Sequence, residues 1–395
     1  MIKLINPNTF REFLKSGSAG GIILIACLIV SLIIANSPLG PGFENLLARE
    51  IGYHSDNLEL RYSVLLWIND GLMAIFFLLV GLEIKRELVE GELSSLKQAA
   101  LPVFAAIGGM LAPAAIYALL NNGTPTASGW GIPMATDIAF AIAVLSLLGS
   151  RVPLSLKVFL TALAIVDDLG AILVIALFYS SEIHLDYLLY AGGIFALLII
   201  FNLLGFKKLI FYLVPGVFMW YFIHHSGIHA TIAGVLTALT LPTTPGAEES
   251  PLEKLEHGLT KPVNFLIMPL FALANTNIRF EADMIDGLTS NLGLGIILGL
   301  FLGKPLGITL VSWLSVKLKI SSLPSGVRWS QIIGAGILAG IGFTMSIFIA
   351  LLSFSDPLYQ TEAKFSILIA SLLAGFIGFI VLKWLGKKTL TEVKS

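Results

Sequence analysis

The sequence predicts an all-α integral membrane protein of twelve transmembrane helices, with discontinuous helices 4 and 11 inside two inverted three-helix repeats. Three observations carry this. Of 395 residues, 56% are hydrophobic and only 12% charged, which is not the balance of a water-soluble domain. Apolar runs long enough to cross a bilayer, or nearly so, recur along almost the whole chain. They leave no room for a separate soluble domain, so residues 1–395 read as a single integral-membrane domain. The basic residues, in turn, gather in every second loop, as lysine and arginine do on the cytoplasmic side of a membrane.

Taken in order, the first run, 17–36, follows Lys3, Arg11 and Lys15. This superficially suits a secretory signal peptide, but at 20 residues the run is longer than the usual apolar core of one. Runs 64–82 and 99–120 are joined through Lys85, Arg86 and Lys97, and runs 132–148 and 158–178 through Arg151 and Lys157. Lys207 and Lys208 separate 187–205 from 209–223, and Lys254 and Lys261 separate 228–241 from 263–274. Lys317, Lys319 and Arg328 lie between 292–314 and 332–354, and Lys383, Lys387, Lys388 and Lys394 follow 365–382. These loops and termini share one side and hold 19 of the 24 basic residues. The opposite side holds only Arg49, Arg61, Arg279 and Lys364, beside eleven acids that include Glu182, Asp186, Glu281, Asp283 and Asp286. Miscounting one helix would dissolve this asymmetry, so the split supports the twelve-helix count and places both termini in the cytoplasm.

The remaining basic residue, Lys304, falls inside a run, as do Asp137, Asp167 and Asp168. Each charge at mid-membrane costs about 2.5–3.5 kcal/mol, so four uncompensated ones would oppose insertion by about 10–14 kcal/mol. Whole-protein stabilities are only about 5–15 kcal/mol, which makes an accident on this scale improbable. The bland alternative is a structural ion pair. For Asp70, near Trp67 and Asn69, and for Glu83, followed by Lys85, Arg86 and Glu87, a solvated helix end is the competing reading.

Asp167 and Asp168 are adjacent on one helix and point about 100° apart, so they can flank a single cavity. Two carboxylates in a poorly hydrated site repel one another, and a proton on one of them relieves the pair. Carboxylate oxygens also suit small hard cations, so proton and cation displace each other. Thr136 and Thr161 could add neutral oxygens, while the Cys and His ligands of a transition-metal site are missing from this region.

Gly131 and Pro133 interrupt the fourth run just before Asp137, and Gly334, Gly336, Gly340 and Gly342 punctuate the eleventh. These are the middle members of two triplets, about 99–178 and 292–382, that enter the membrane from opposite sides. Paired interrupted segments in inverted repeats point to a transporter's binding site. Asp137 could offset the positive helix ends exposed at such breaks, and Lys304 the negative ones.

Seven stretches in order resemble the NhaA-type sodium/proton antiporters, almost from end to end: Phe76–Leu88, Ala135–Ala141, Ala164–Ala171, Ser226–Thr231, Pro269–Asn275, Gly303–Gly307 and Gly340–Ser346. The resemblance implies a bacterial inner-membrane antiporter, electrogenic because more protons enter than sodium or lithium ions leave. It implies Asp168 as principal cation ligand, Asp167 as its partner and as the counter-ion of Lys304, and Asp137 with Thr136 where the two interrupted helices cross. Activation at alkaline pH is implied at Glu83, Arg86, Glu87, Glu256 and His257, and at His229, for which a capping or packing role competes. Where the family carries a second histidine one turn beyond His257, this chain has Thr260. A homodimer through a short hairpin at about 37–61 is also implied.

Other classes fit less well. A membrane prenyltransferase needs another acid three residues after the aspartate pair, where Ala171 stands, and a di-iron enzyme needs clustered histidines, whereas the six here are scattered. No Gly-x-Gly-Asp setting marks an intramembrane aspartyl protease, so an enzyme is not expected. The alternative transporter is an organic-anion/sodium symporter on a related scaffold, which would want a wider, less acidic cavity. A passive channel would be held back by so tight a cation site. Net charge of -1 with dispersed basic residues gives no nucleic-acid footprint, and the lone Cys27 has neither a disulfide partner nor zinc-type companions. No cofactor is expected; the partners are Na+ or Li+, protons and membrane lipid.

Overall fold

The computed structural model describes residues 19–55, 58–180, 182–243, 249–281 and 284–392. Lys3, Arg11, Lys15, the start of the first run, Asp283, Lys394 and the side chains of Lys387 and Lys388 lie outside the described residues and side chains. Among the described residues, seven helices are long and apolar enough to cross a membrane, or nine if each of two bent pairs is one span. The remaining apolar runs form shorter helices.

The first bent pair is α1 (Ala19–Ala35), which turns by 110° into α2 (Gly40–Ala48). Then β1 (Glu50–Ile51), β2 (His54–Ser55), β3 (Leu58–Glu59) and β4 (Tyr62–Ser63) form a hairpin, β2 on β3 and β1 on β4, both antiparallel. Next come α3 (Val64–Val89), α4 (Leu96–Asn121), a 3-10 helix over Ala127–Met134, α5 (Ile138–Leu147) and α6 (Leu154–Phe178). α7 (Leu185–Leu203), α8 (Ile210–His225) and α9 (Ile232–Thr240) lead to α10 (residues 251–275), which opens on a Ser250–Glu253 capping box. A single turn, α11 (Met284–Gly287), precedes α12 (Asn291–Lys317). The second bent pair is α13 (Trp329–Ala339) and α14 (Phe343–Ser353), 48° apart, and α15 (Pro357–Glu392) closes the chain.

Three helices outrun their apolar cores. α3 continues to Val89, α10 begins at Pro251, and α15 runs to Glu392, because helix hydrogen bonds do not stop where hydrophobicity does. Glu83, Arg86, Glu87, Glu256 and His257 are therefore helical rather than loop residues.

Two hydrophobic cores organise the molecule. One joins α4, α5, α6 and α12 to α15, with parts of α1, α3 and α10; the other joins α7, α8 and α9 to the Leu78–Leu82 part of α3 and the start of α10. In the first, α4 and α12 touch backbone to backbone. A Cβ on Gly307 would lie 2.0 Å from the Gly108 carbonyl oxygen, and one on Gly108 would lie 2.2 Å from that of Gly307. Only small residues permit this approach, which fixes Lys304 one turn away.

Candidate cation and proton site

The 3-10 segment Ala127–Met134 is followed by three non-helical residues, Ala135, Thr136 and Asp137, before α5 begins. Pro133 fixes its own φ and lacks an amide proton, so the regular ladder cannot pass through this point. The partner break, Gly340 to Gly342, lets α13 and α14 meet at an angle, and a Cβ on Gly340 would sit 2.4 Å from the Leu300 carbonyl of α12.

The two breaks are stitched to one another. The Asp137 amide donates to Ile341 O (2.7 Å), and Ser346 Oγ donates to Ile132 O (2.8 Å). Asp137, 1% exposed, accepts from Phe140 N at the start of α5 (2.9 Å) and from Thr344 N at the start of α14 (3.1 Å), and also from Thr344 Oγ1. One carboxylate thus satisfies amides at two converging helix N-termini, where partial positive charge collects. Asp137→Ala is expected to remove both caps, a loss of about 1 kcal/mol at each end. Asp137→Asn, which caps nearly as well, should recover most of the melting temperature measured by dye-monitored unfolding.

Beside this crossing, Lys304, from α12, donates from Nζ to Asp167 Oδ2 and to Thr136 Oγ1 (2.8 Å). Lysine and aspartate are both wholly buried. The Thr136 hydroxyl lies 2.7 Å from Asp167 Oδ2 and 2.9 Å from Ala339 O at the end of α13. It has one proton, so it donates to one of them at a time. Among the described residues, Lys304 thus bonds Thr136 of the break and Asp167 rather than a carbonyl at either helix end. Its charge is spent on Asp167, and Thr136 stands between it and the α13 carbonyl.

Asp168 is 2% exposed, and among the described residues its Oδ1 has no hydrogen-bond partner; Asp167 Oδ1 is also buried and unpartnered among them. Buried acceptors are normally paired, so two orphan carboxylate oxygens on neighbouring residues leave acceptor capacity that a cation or a proton could take up. Thr161 is absent from this group. It lines a polar cavity of about 650 Å³ with Glu87, Glu90, Glu92, Gln98 and Lys157, two helical turns from Asp168 along α6. Seven residues of helix rise about 10 Å, which separates the two positions.

Residues 11–382 match the sequence profile of the Na+/H+ antiporter 1 family. The chain belongs to that family. It is 67% identical over 383 residues to the Na(+)/H(+) antiporter NhaA 2 of Flavobacterium johnsoniae, covering 97% of this chain and 94% of that protein. It is 53% identical to the Na(+)/H(+) antiporter NhaA of Flavobacterium psychrophilum over 98% of both chains. To that of Bordetella parapertussis it is 49% identical, over 95% of this chain and 96% of the relative.

In this family member the second charged group lies at the Val89 end of α3. Arg86 Nε bonds both Glu256 oxygens (3.1 and 3.0 Å), and its Nη2 lies 3.2 Å from Glu87. Glu83, half-buried, lies on the same helix one turn before Glu87. His257 does not join them. Burying Glu256 turns the next helical position about 100° outward, and His257, 71% exposed, pairs instead with Glu249 at 2.9 Å. Thr260 donates to Glu256 O (2.7 Å).

Burial holds the Glu256 carboxyl above its ordinary value of 4.5, against the pull of Arg86. A group that binds its proton more tightly folded than unfolded loses stability for the protein as pH rises from 4.5 through the folded value. Glu256→Gln should abolish that decline, so its melting temperature relative to wild type should rise between pH 4.5 and neutrality. A constant difference would dismiss the coupling.

At the other end of α3, His229 bonds Thr231 (2.9 Å) and lies 3.4 Å from Asp70, which His224 approaches at 3.0 Å. The two histidines thus hold one aspartate between α3 and the α8–α9 turn. His224 carried no signal in the sequence, nor did the reciprocal amide pair of Asn69 and Asn275 (2.7 and 3.2 Å), because each joins residues far apart in the chain.

Proposed function

We propose that this chain exports Na+ or Li+ across the bacterial inner membrane in exchange for protons, by alternating access, electrogenically and with activation at alkaline pH. The observation that carries the site assignment is the pair of buried, unpartnered oxygens on Asp167 and Asp168 beside Lys304. The twelve-span topology, both termini cytoplasmic, the inverted repeats 99–178 and 292–382 and the single integral domain belong to this reading, supported by the 19-to-4 division of basic residues.

Protonated, the site is neutralised, with Lys304 on Asp167 and a proton on Asp168. A cation entering past Glu87, Glu90 and Glu92 displaces the Asp168 proton and draws Asp167 away from Lys304, because an ammonium and a bound cation compete for the same oxygen; Lys304 then releases its own proton, so two protons are exchanged for one cation. The crossing of the two broken helices is the pivot, since its few hydrogen bonds can be exchanged without breaking a continuous helix. With one net positive charge entering per cycle, a potential of about 100 mV contributes about 2.3 kcal/mol toward extrusion. Glu83, Arg86, Glu87, Glu256, His257 and His229 are proposed to set the pH response, and the β1–β4 hairpin the contact of a homodimer.

Everted membrane vesicles carrying the protein should release an imposed proton gradient on addition of Na+ or Li+, faster as pH rises above neutrality. Exchange that required an organic anion would replace this reading by the symporter.

A further inference from the structure

A slot of about 650 Å³ runs between α3 and α8 and is backed by α9. Its walls are almost wholly apolar, from Val64 and Trp67 at one end to Leu78, Leu255 and Leu259 at the other. Residues 64–78 of α3 rise about 21 Å, most of the way through a hydrocarbon core of about 30 Å. This is about the length of a single extended hydrocarbon chain.

Two observations indicate the occupant. On the α8 lip, Val217 is 64% exposed, and Val214 and Phe218 beside it are also exposed, so the slot is continuous with an apolar outer face of a multi-pass membrane protein. It opens toward lipid. At its Val64 end, Trp67 and Trp220 stack with centroids 5.9 Å apart. Trp67 donates its indole proton to Ile51 O of the hairpin (3.1 Å). Tryptophans sit at headgroup level, the depth of phospholipid ester groups. A water-soluble ligand would find scarcely any polar contact here, and a second copy of the chain would have to present an unbranched apolar projection as long as the slot.

We propose that this slot holds one acyl chain of a bilayer phospholipid, with its ester group at the Trp67–Trp220 end. The lipid fills the space between α3, which carries Glu83, Arg86 and Glu87, and α8, and so acts as a wedge that sets their separation. The proposal depends on membrane placement alone, and its failure would leave the exchange reading untouched.

The test uses the full-length protein in phosphatidylethanolamine/phosphatidylglycerol vesicles doped with a phospholipid bearing a diazirine on its acyl chain. After illumination, peptides covering 67–78 and 213–220 should carry about tenfold more label than those covering the exposed Leu372 and Phe376 of α15, a ratio equivalent to about 1.4 kcal/mol of preference. Val217→Trp, which blocks the lip, should remove the excess and leave α15 labelling unchanged; Leu213→Phe is the substitute if that variant does not elute as folded protein. Equal labelling of all exposed faces would mean bulk lipid only and overturn the proposal. So would unlabelled slot peptides together with disulfide cross-linking of Val217→Cys between two copies.

Discussion

Asp168→Asn is expected to abolish cation-dependent proton movement in everted vesicles while leaving the protein folded. The side chain is 2% exposed and its Oδ1 bonds nothing among the described residues, so an amide of the same shape disturbs no packing. The cation, however, loses a full negative charge. At 4 Å and an effective dielectric of about 20 that charge is worth about 4 kcal/mol, or roughly a thousandfold in affinity. An amide does not titrate either, so the proton half of the cycle disappears with the cation half. Gradient-collapse assays across pH, with Na+ and Li+ separately, check this. Wild-type rates in Asp168→Asn, at the same protein level, would move the site elsewhere.

The largest effect on stability should come from Lys304→Met. Lys304 and Asp167 are wholly buried and joined, and removing one partner of such a pair leaves an uncompensated charge worth about 3–5 kcal/mol. At about 1.2 °C per kcal/mol for a chain of this size, the melting temperature should fall by about 4–6 °C. Adding Asp167→Asn removes the stranded charge, and the double variant should regain at least half of the loss. If it melts no higher than Lys304→Met alone, packing rather than electrostatics joins α6 to α12.

Much of the site was legible in the sequence because hydrocarbon makes charge conspicuous. Asp137, Asp167, Asp168 and Lys304 stood out against apolar runs, and Gly131, Pro133 and Gly340 marked the two interruptions without reference to any other part of the chain. Helix extents were less legible. The apolar run of α3 ends near Leu82, yet its hydrogen bonds continue to Val89, carrying Glu83, Arg86 and Glu87 on a rigid element. Thr161 and Thr136 looked equivalent as neutral oxygen donors, and only packing assigned Thr136 to Asp167 and Lys304 and Thr161 to the acidic cavity beside Glu87.

Composition and pattern alone, then, determined that the chain is a helical membrane protein, that four charges are placed where the bilayer opposes them, and that two helices are interrupted. Those properties are local, or follow from the one-dimensional spacing of apolar and basic residues. Which charge meets which was decided only in three dimensions. Asp137 reaches Thr344 across more than two hundred residues, Lys304 chooses Asp167 and leaves Asp168 Oδ1 unpartnered, His257 turns away from Glu256, and His224 finds Asp70. Such pairings depend on the angles and separations of whole helices, and those are set by contacts such as Gly108 on Gly307 that no single segment contains.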